Sequence, residues 1–244
     1  MYIDINCDVG EGIANEYLLF PYISSCNIAC GGHFGDVKSI DKTIQLAVKN
    51  NVKIGAHPSF SDFKNFGRKV LQISEQELKA SLDFQLELFL ERMANFNQKI
   101  HHIKPHGALY NLIAKDRGEA EKFISITKKY LKDCFLYVPY NSEIEKVALE
   151  NHIKIKYEAF ADRNYNTNLT LVARAAKNAI IEEPKDVLNH VLNMVTNKKV
   201  ISISGEEKNI KASTFCVHGD HKNSVEILKY LTSQLKIKGI QVAN

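Results

Sequence analysis

The sequence predicts an α/β fold: one irregular (β/α) barrel of about seven parallel strands, spanning residues 1–244 as a single domain. Three observations lead there. Short β-compatible runs alternate with segments of helical periodicity almost without a break. No G-x-G-x-x-G fingerprint follows the first run, which argues against an open doubly wound sheet. Six of the seven runs end in polar residues suited to chemistry, and a barrel is the architecture that gathers the C-terminal ends of all its strands on one face.

The first run, Tyr2-Ile3-Asp4-Ile5-Asn6-Cys7-Asp8-Val9, alternates apolar with acidic or amide residues and leads into Gly10-Glu11-Gly12. Asp and Asn are poor strand formers, and the period of two points Asp4, Asn6 and Asp8 to one face. Their mutual repulsion requires a counter-charge there. Cys26 to Cys30 is a buried strand ending in Gly31-Gly32-His33-Phe34-Gly35, with Asp36 placed as the N-cap of a helix carrying Ile40, Ile44 and Ala47. Val52 to Ala56 is the third strand, ending at His57. Ser74 and Glu77 form a capping box that opens a long helix with Leu78, Leu82, Leu86, Phe89 and Met93 on one stripe.

Strand four, Ile100 to Ile103, runs into Lys104-Pro105-His106-Gly107. Because Pro105 interrupts the His102 to His106 spacing, His102 is expected to point elsewhere. A helix from Asp116 to Lys132 precedes strand five, Cys134 to Val138, the one strand that ends blandly. Asn141 is read as a helix cap, Ile153 to Tyr157 as strand six, and Pro184 as the first turn of a helix to Thr196. Val200 to Ser204 and Asn209 to Ala212 read as a hairpin. Strand seven, Thr214 to Val217, ends at His218-Gly219-Asp220, and a last helix covers Asn223 to Leu235.

Composition narrows the function classes. With 45% hydrophobic and 25% charged residues the chain reads as an ordinary soluble protein. A net charge of +4 without a dense basic cluster gives no nucleic-acid footprint. No apolar run reaches the ~20 residues of a membrane span, and Met1 leads directly into the first strand, so the expectation is cytoplasmic. The five cysteines form no CxxC pair and lie mostly in apolar runs, as reduced buried thiols do.

His33, His57, His106 and His218 stand at strand ends beside Gly or Pro, and equivalent placement on four strands points to function. With Asp4, Asp8, Asp36, Asp162 and Asp220 they offer nitrogen and oxygen ligands for a divalent metal, although no local spacing is a metal signature. Lys104 has no packing reason to stand in its turn. It neutralises the carboxylates, polarises a carbonyl or holds a phosphate. Arg163 and Arg68 are candidates for similar roles, Arg174 a weaker one. There is no GxxxxGK[ST] phosphate loop and no nucleophile elbow.

The motifs Asp4-x-Asn6-x-Asp8-x-Gly10-Glu11-Gly12, Asn27-Ile28-Ala29-Cys30-Gly31-x-His33-x-Gly35-Asp36, Gly55-Ala56-His57-Pro58 and Phe66-Gly67-Arg68 resemble the LamB/YcsF family. So do Lys104-Pro105-His106-Gly107-Ala108-Leu109-Tyr110-Asn111, Glu158-x-Phe160-Ala161-Asp162-Arg163-x-Tyr165 and Cys216-Val217-His218-Gly219-Asp220. Phe34, Val37 and Ala173 depart from the usual pattern. The resemblance implies a barrel related to glycoside hydrolase and deacetylase barrels. It also implies ATP-dependent opening of 5-oxo-L-proline to L-glutamate, in a complex with two further subunits, B and C.

On that reading Asp8 or Glu11 activates water, and Lys104 and Arg163 stabilise the developing oxyanion or phosphate. His106 or His33 protonates the leaving nitrogen. Asp4, Asn6, Asp36, His57, Arg68, Asp162, His218 and Asp220 hold substrate or phosphate or orient the others. The alternatives are a stand-alone metal-dependent amidohydrolase or deacetylase, and a non-catalytic subunit that only holds substrate.

Overall fold

The computed structural model describes residues 1–243. Seven parallel strands close into a barrel: β1 (Tyr2–Val9), β2 (Ser25–Ala29), β3 (Lys53–His57), β4 (His102–Ile103), β5 (Phe135–Pro139), β6 (Ile155–Phe160) and, after a β7 (Lys199–Ile201) and β8 (Glu207–Asn209) hairpin, β9 (Thr214–Val217). Closure is direct, because β9 pairs with both β6 and β1. The hairpin is displaced from the expected runs, and strand six begins two residues late and extends to Phe160. A short β10 (Gln241–Val242), which no pattern announced, pairs with the start of β1.

Seven α-helices accompany the strands: α1 (Val37–Lys49), α2 (Glu75–Asn95), α3 (Gly107–Lys115), α4 (Arg117–Thr127), α5 (Glu143–Glu150), α6 (Pro184–Leu192) and α7 (Ser224–Ile237). The capping boxes of Asp36 with Ser39 and of Ser74 with Glu77 are both formed. At α5 the cap is Ser142, not Asn141. Asn141 is in the left-handed region (φ 60°) and donates its backbone N–H to Glu145, a turn conformation Asn tolerates well. None of the helices is long and apolar enough to cross a membrane among the described residues.

Alternation along each strand sorts the residues into two environments. Ile3, Ile5, Cys7 and Val9 of β1 face the apolar layer under the helices, joined by Leu82, Leu86, Phe89 and Met93 of α2. Asp4, Asn6 and Asp8 face the barrel interior, where all three are buried. The register sets Asn27 beside Asp8, Gly55 beside Asn27 and His102 beside Gly55. Gly55 is required there: a Cβ would lie 2.2 Å from His102 Nε2. The barrel interior is therefore a polar column, and every buried polar group in it needs a partner.

Candidate active site

At the bottom of the column Ser25 Oγ and Thr214 Oγ1 donate to Asp4 Oδ2 at 2.7 and 2.6 Å, and Asn6 Nδ2 donates to Thr214 Oγ1 at 2.7 Å. Above them Asn27 Nδ2 donates to Asn6 Oδ1 (2.7 Å) and Asp8 Oδ1 (2.8 Å). His102, expected to point elsewhere, lies inside the barrel, stacked on Tyr137 and 2.6 Å from Asn27 Oδ1. The helical i,i+4 rule is the wrong guide on a strand, where the period of two sends His102 and Lys104 inward together.

Lys104 touches all the charged groups of this level. Its Nζ is 2.8 Å from Asp8 Oδ1, 3.0 Å from Glu158 Oε1 and 3.1 Å from Cys216 Sγ. Burial opposes the ammonium, yet Asp8, Cys216 and Glu158 hold its pKa well above the ordinary lysine range. Burial likewise opposes ionised Asp8, but His57 and Lys104 hold its carboxyl well below the usual carboxylate range. The pair is thus ionised and shares one positive charge with Glu158. Glu158 and Cys216 were not among the expected site residues; both sit at inward alternate positions of β6 and β9, which is the signal that would have found them.

At the mouth the turn after β1 is shaped by Glu16, whose Oε1 accepts from the backbone N–H of Gly10 at 2.5 Å and of Glu11 at 3.4 Å. Glu11 Oε1 then lies 2.9 Å from His33 Nε2 and 3.5 Å from His106 Nδ1, and His106 Nδ1 lies 2.9 Å from His57 Nε2. His33 and His106 stack with centroids 3.7 Å apart. Burial pushes the Glu11 carboxyl up to about 7, with Asp8 adding to it, and pushes His33 down to about 4. Burial, then His33 and His57, also hold His106 well below its usual range. These four residues form a buried His/Glu cluster of a kind able to bind a metal.

Opposite this cluster His218 Nδ1 contacts Asp162 Oδ1 at 2.9 Å, and the His218 backbone N–H donates to Asp162 Oδ2 at 2.9 Å. Asp220 is clamped by Arg174 (2.7 and 2.8 Å) and Arg68 (2.6 Å), which ties the loops after β3 and β6 to the loop after β9. A cavity of about 360 Å³ opens between these groups, bordered by Asp8, Glu11, His57, Lys104, His106 and His218 among others. Its size falls in the range of about 300–1,000 Å³ typical of small-ligand pockets. A larger groove of about 660 Å³ runs along 164–193, away from every one of these ionic clusters except Arg174.

Two expected site residues are placed otherwise. The Asp36 carboxylate accepts from Ser39 N (2.8 Å) as the N-cap of α1, so its hydrogen-bonding capacity serves the helix. Arg163 borders the cavity, but its Nε and Nη2 donate to the carbonyls of Ala179 (3.2 Å) and Val172 (2.6 Å), bracing the long loop after β6. Asp4 and Asn6 lie below Asp8, bonded to their neighbours. Cys7 and Cys30 belong to the apolar layer, and burial pushes the Cys30 thiol up to about 12.

A polar-cored barrel of this kind, with these strand-end motifs, matches the model of the LamB/YcsF family over residues 3–244. The chain belongs to the LamB/YcsF family. A relative from Alkaliphilus metalliredigens, named as the A subunit of 5-oxoprolinase, is 37% identical over 245 residues, covering 98% of this chain and 96% of its own. One of the same name from Pyrococcus horikoshii is 35% identical over 247 residues, covering 99% and 97%. Among solved structures, the lactam utilization protein from Thermus thermophilus superposes with a TM-score of 0.92 at 30% identity, over 100% of this chain and 99% of that one. This LamB/YcsF chain therefore shares both length and architecture with those relatives.

Proposed function

We propose that the chain is the A subunit of a 5-oxoprolinase, acting with subunits B and C in the ATP-dependent hydrolytic opening of 5-oxo-L-proline to L-glutamate. The observation that carries this reading is full-length similarity, at 35–37% identity, to relatives of that name. The cavity supports it: three carboxylates, a buried ammonium and an aspartate-held histidine border a space for a small molecule.

A five-membered lactam is a stable amide; phosphorylating its oxygen with ATP makes the carbon electrophilic, so that one water adds, the C–N bond breaks to leave an acyl phosphate, and a second water releases phosphate and glutamate. In our assignment Asp8, ionised, bordering the cavity and with His57 Nε2 3.5 Å from its Oδ2, takes a proton from the attacking water. Lys104 supplies the positive charge that keeps Asp8 ionised in the buried column and stabilises charge developing on the reacting oxygen. Proton delivery to the leaving nitrogen falls to His218 rather than His33 or His106. Asp162 fixes its Nδ1, leaving Nε2 for substrate, in the manner of an aspartate that orients a catalytic imidazole. Buried Glu158 Oε2 lacks a hydrogen-bond partner of good geometry among the described residues, while the Tyr110 hydroxyl stands beside the same carboxylate, and burial together with that carboxylate raises the phenol well above its ordinary range. A substrate N–H would satisfy the carboxylate oxygen.

The test is glutamate formation from 5-oxo-L-proline and ATP by this chain mixed with its B and C subunits. Activity should require all three chains, and Asp8→Asn should lower kcat by about 100-fold or more. Equal activity from B and C alone would reduce this chain to a scaffold and overturn the reading. The His/Glu cluster favours one second reading, a metal-dependent amidohydrolase. That reading predicts lactam opening by the chain alone without ATP, abolished by chelation.

A further inference from the structure

The three histidines of the mouth cluster share a feature that fixes their protons. Each has one ring nitrogen against an oxygen placed to accept. His57 Nδ1 lies 2.7 Å from the Lys104 carbonyl oxygen, and His106 Nε2 lies 3.0 Å from the Phe66 carbonyl oxygen. Ser59 Oγ donates to the Phe60 carbonyl at 2.9 Å, so toward His33 Nδ1, 3.0 Å away, it accepts. Those three nitrogens carry the N–H, and a neutral imidazole then holds its lone pair on the other nitrogen. The other nitrogens are His57 Nε2, His106 Nδ1 and His33 Nε2, and they converge with Glu11 Oε1.

With Glu11 ionised and the rings neutral, the forms in which these groups bind a cation, two pairs of acceptors face each other at hydrogen-bond distance: His57 with His106, and His33 with Glu11, each at 2.9 Å. A central cation turns each of these repulsions into a pair of ligands. We propose that Glu11, His33, His57 and His106 bind one divalent transition-metal ion of the zinc class, through three imidazole nitrogens and one carboxylate oxygen. Imidazole suits zinc and its neighbours, whereas magnesium and calcium take oxygen ligands. Zinc bonds of about 2.0–2.1 Å put tetrahedral ligands about 3.3 Å apart. Three of the six ligand separations, at 2.9, 2.9 and 3.5 Å, bracket that edge, and all six lie within 4.8 Å.

The surroundings fit the same assignment. Each ring is oriented by a hydrogen bond from its outer N–H, as metal-bound histidines are. Ser59 is held in turn by the Gln85 side chain, which accepts from Ser59 N (3.0 Å) and donates to Ser59 O (2.9 Å). Gly67, at φ 62°, lets the loop after β3 close over the rings; a Cβ there would come within 2.9 Å of His33 Cβ. Asp8, Cys216 and His218 also approach one another, but the Lys104 ammonium already lies against Asp8 and Cys216, so that group holds its own cation. Glu11, His57 and His106 border the cavity, which puts the ion beside the substrate space. This assignment goes beyond the lactam-opening reading and stands whichever reaction the cavity hosts.

The test uses the full-length chain without a histidine tag, stripped with a chelator and dialysed against Zn²⁺ or Co²⁺. Metal per chain is measured by mass spectrometry, coordination by the visible spectrum of the cobalt form, and folding by circular dichroism. Wild type should bind one equivalent and melt at a higher temperature with Zn²⁺ than without. His33→Gln and Glu11→Gln should each weaken binding by about 100-fold or more, while His218→Ala and Cys216→Ser retain it. Should His33→Gln fail to fold, Glu11→Gln, which keeps the side-chain shape, decides alone. The assignment is overturned by a wild type that binds no stoichiometric ion, by Glu11→Gln binding as tightly as wild type, or by loss of binding in His218→Ala. Failure here leaves the glutamate assay to judge the lactam reading separately.

Discussion

Two stacked histidines in this barrel have nearly the same geometry and opposite proton arrangements. His102 stacks on Tyr137 with centroids 3.8 Å apart and rings 4° from parallel; His33 stacks on His106 at 3.7 Å and 6°. Around His102 every hydrogen bond has a donor and an acceptor. Lys156 Nζ faces His101 Nε2 at 3.5 Å, His101 Nδ1 faces His102 Nδ1 at 2.9 Å, His102 Nε2 faces Asn27 Oδ1 at 2.6 Å, and Asn27 Nδ2 donates to Asp8. One consistent direction of donation runs from the outer end of Lys156 to the Asp8 carboxylate. Around His33 and His106 the facing acceptors break any such direction. A polar network that is fully satisfied stabilises and specifies a fold, whereas one with facing acceptors is held ready for a cation or proton. The first network is the scaffold; the second is the site.

Lys104→Met probes the scaffold most severely. It keeps the length of the side chain and removes the one charge that Asp8 and Glu158 share. Breaking a buried ion pair by deleting one partner costs about 3–5 kcal/mol, and urea denaturation at pH 7 should show a loss of that size. A loss below about 1 kcal/mol would mean that the carboxylates find protons or water without Lys104, and that these ion pairs do not hold the column together.

His102→Phe is the next largest. Phenylalanine keeps a ring on Tyr137 but strands Asn27 Oδ1 and the His101 N–H. Each unsatisfied buried group costs about 1–3 kcal/mol, so the expected destabilisation is about 2–4 kcal/mol. Urea midpoints at unchanged m-value measure it.

Much of this was legible in the chain. The β1 alternation put Asp4, Asn6 and Asp8 on one face, and all three are buried in the barrel, because a period of two needs no tertiary information. The strand-end histidines, Lys104 and Asp8 could be grouped because closure of the barrel brings those ends together. The internal partners were harder. Asn27, Glu158, Cys216 and His102 contribute through the interstrand register, and register is set by the closed sheet rather than by any one strand. Asp36 carried two readings at once, cap and ligand, and one carboxylate bonded to Ser39 N serves the first. Arg163 could not be assigned from sequence because its acceptors are backbone carbonyls of a loop with no periodicity.

Between scaffold and site stands the Asp162–His218 contact, and pH separates its contribution. Burial opposes ionised Asp162, but His218 holds its carboxyl below the usual carboxylate range. A depressed folded-state pKa contributes stability above the unfolded value, and the contribution is lost as pH falls through the folded pKa. Asp162→Asn should therefore cost about 1–3 kcal/mol at pH 7 and progressively less below pH ~4, read as converging melting temperatures of variant and wild type. A gap that stays constant with pH would assign the cost to packing rather than to the charge on Asp162.

The smallest expected effect is the one that tests the comparison most directly. His33→Phe is matched to His102→Phe: both keep a stacked ring, lose both nitrogens and add the same volume. In chelated protein held well above the Glu11 pKa of about 7, where that carboxyl is ionised, the His33 change removes the bond to Ser59 but also removes the lone pair facing Glu11 Oε1 at 2.9 Å. The loss and the relief offset, and the net cost should be about 1 kcal/mol or less. Urea midpoints of the two variants, measured side by side without metal, give the difference directly, with the shared cost of the larger ring cancelling. If His33→Phe costs as much as His102→Phe, the mouth cluster is a satisfied network like the column beneath it. A cost near zero, by contrast, means that the fold maintains His33 against Glu11 without gaining stability from it, which is what a residue retained for binding does.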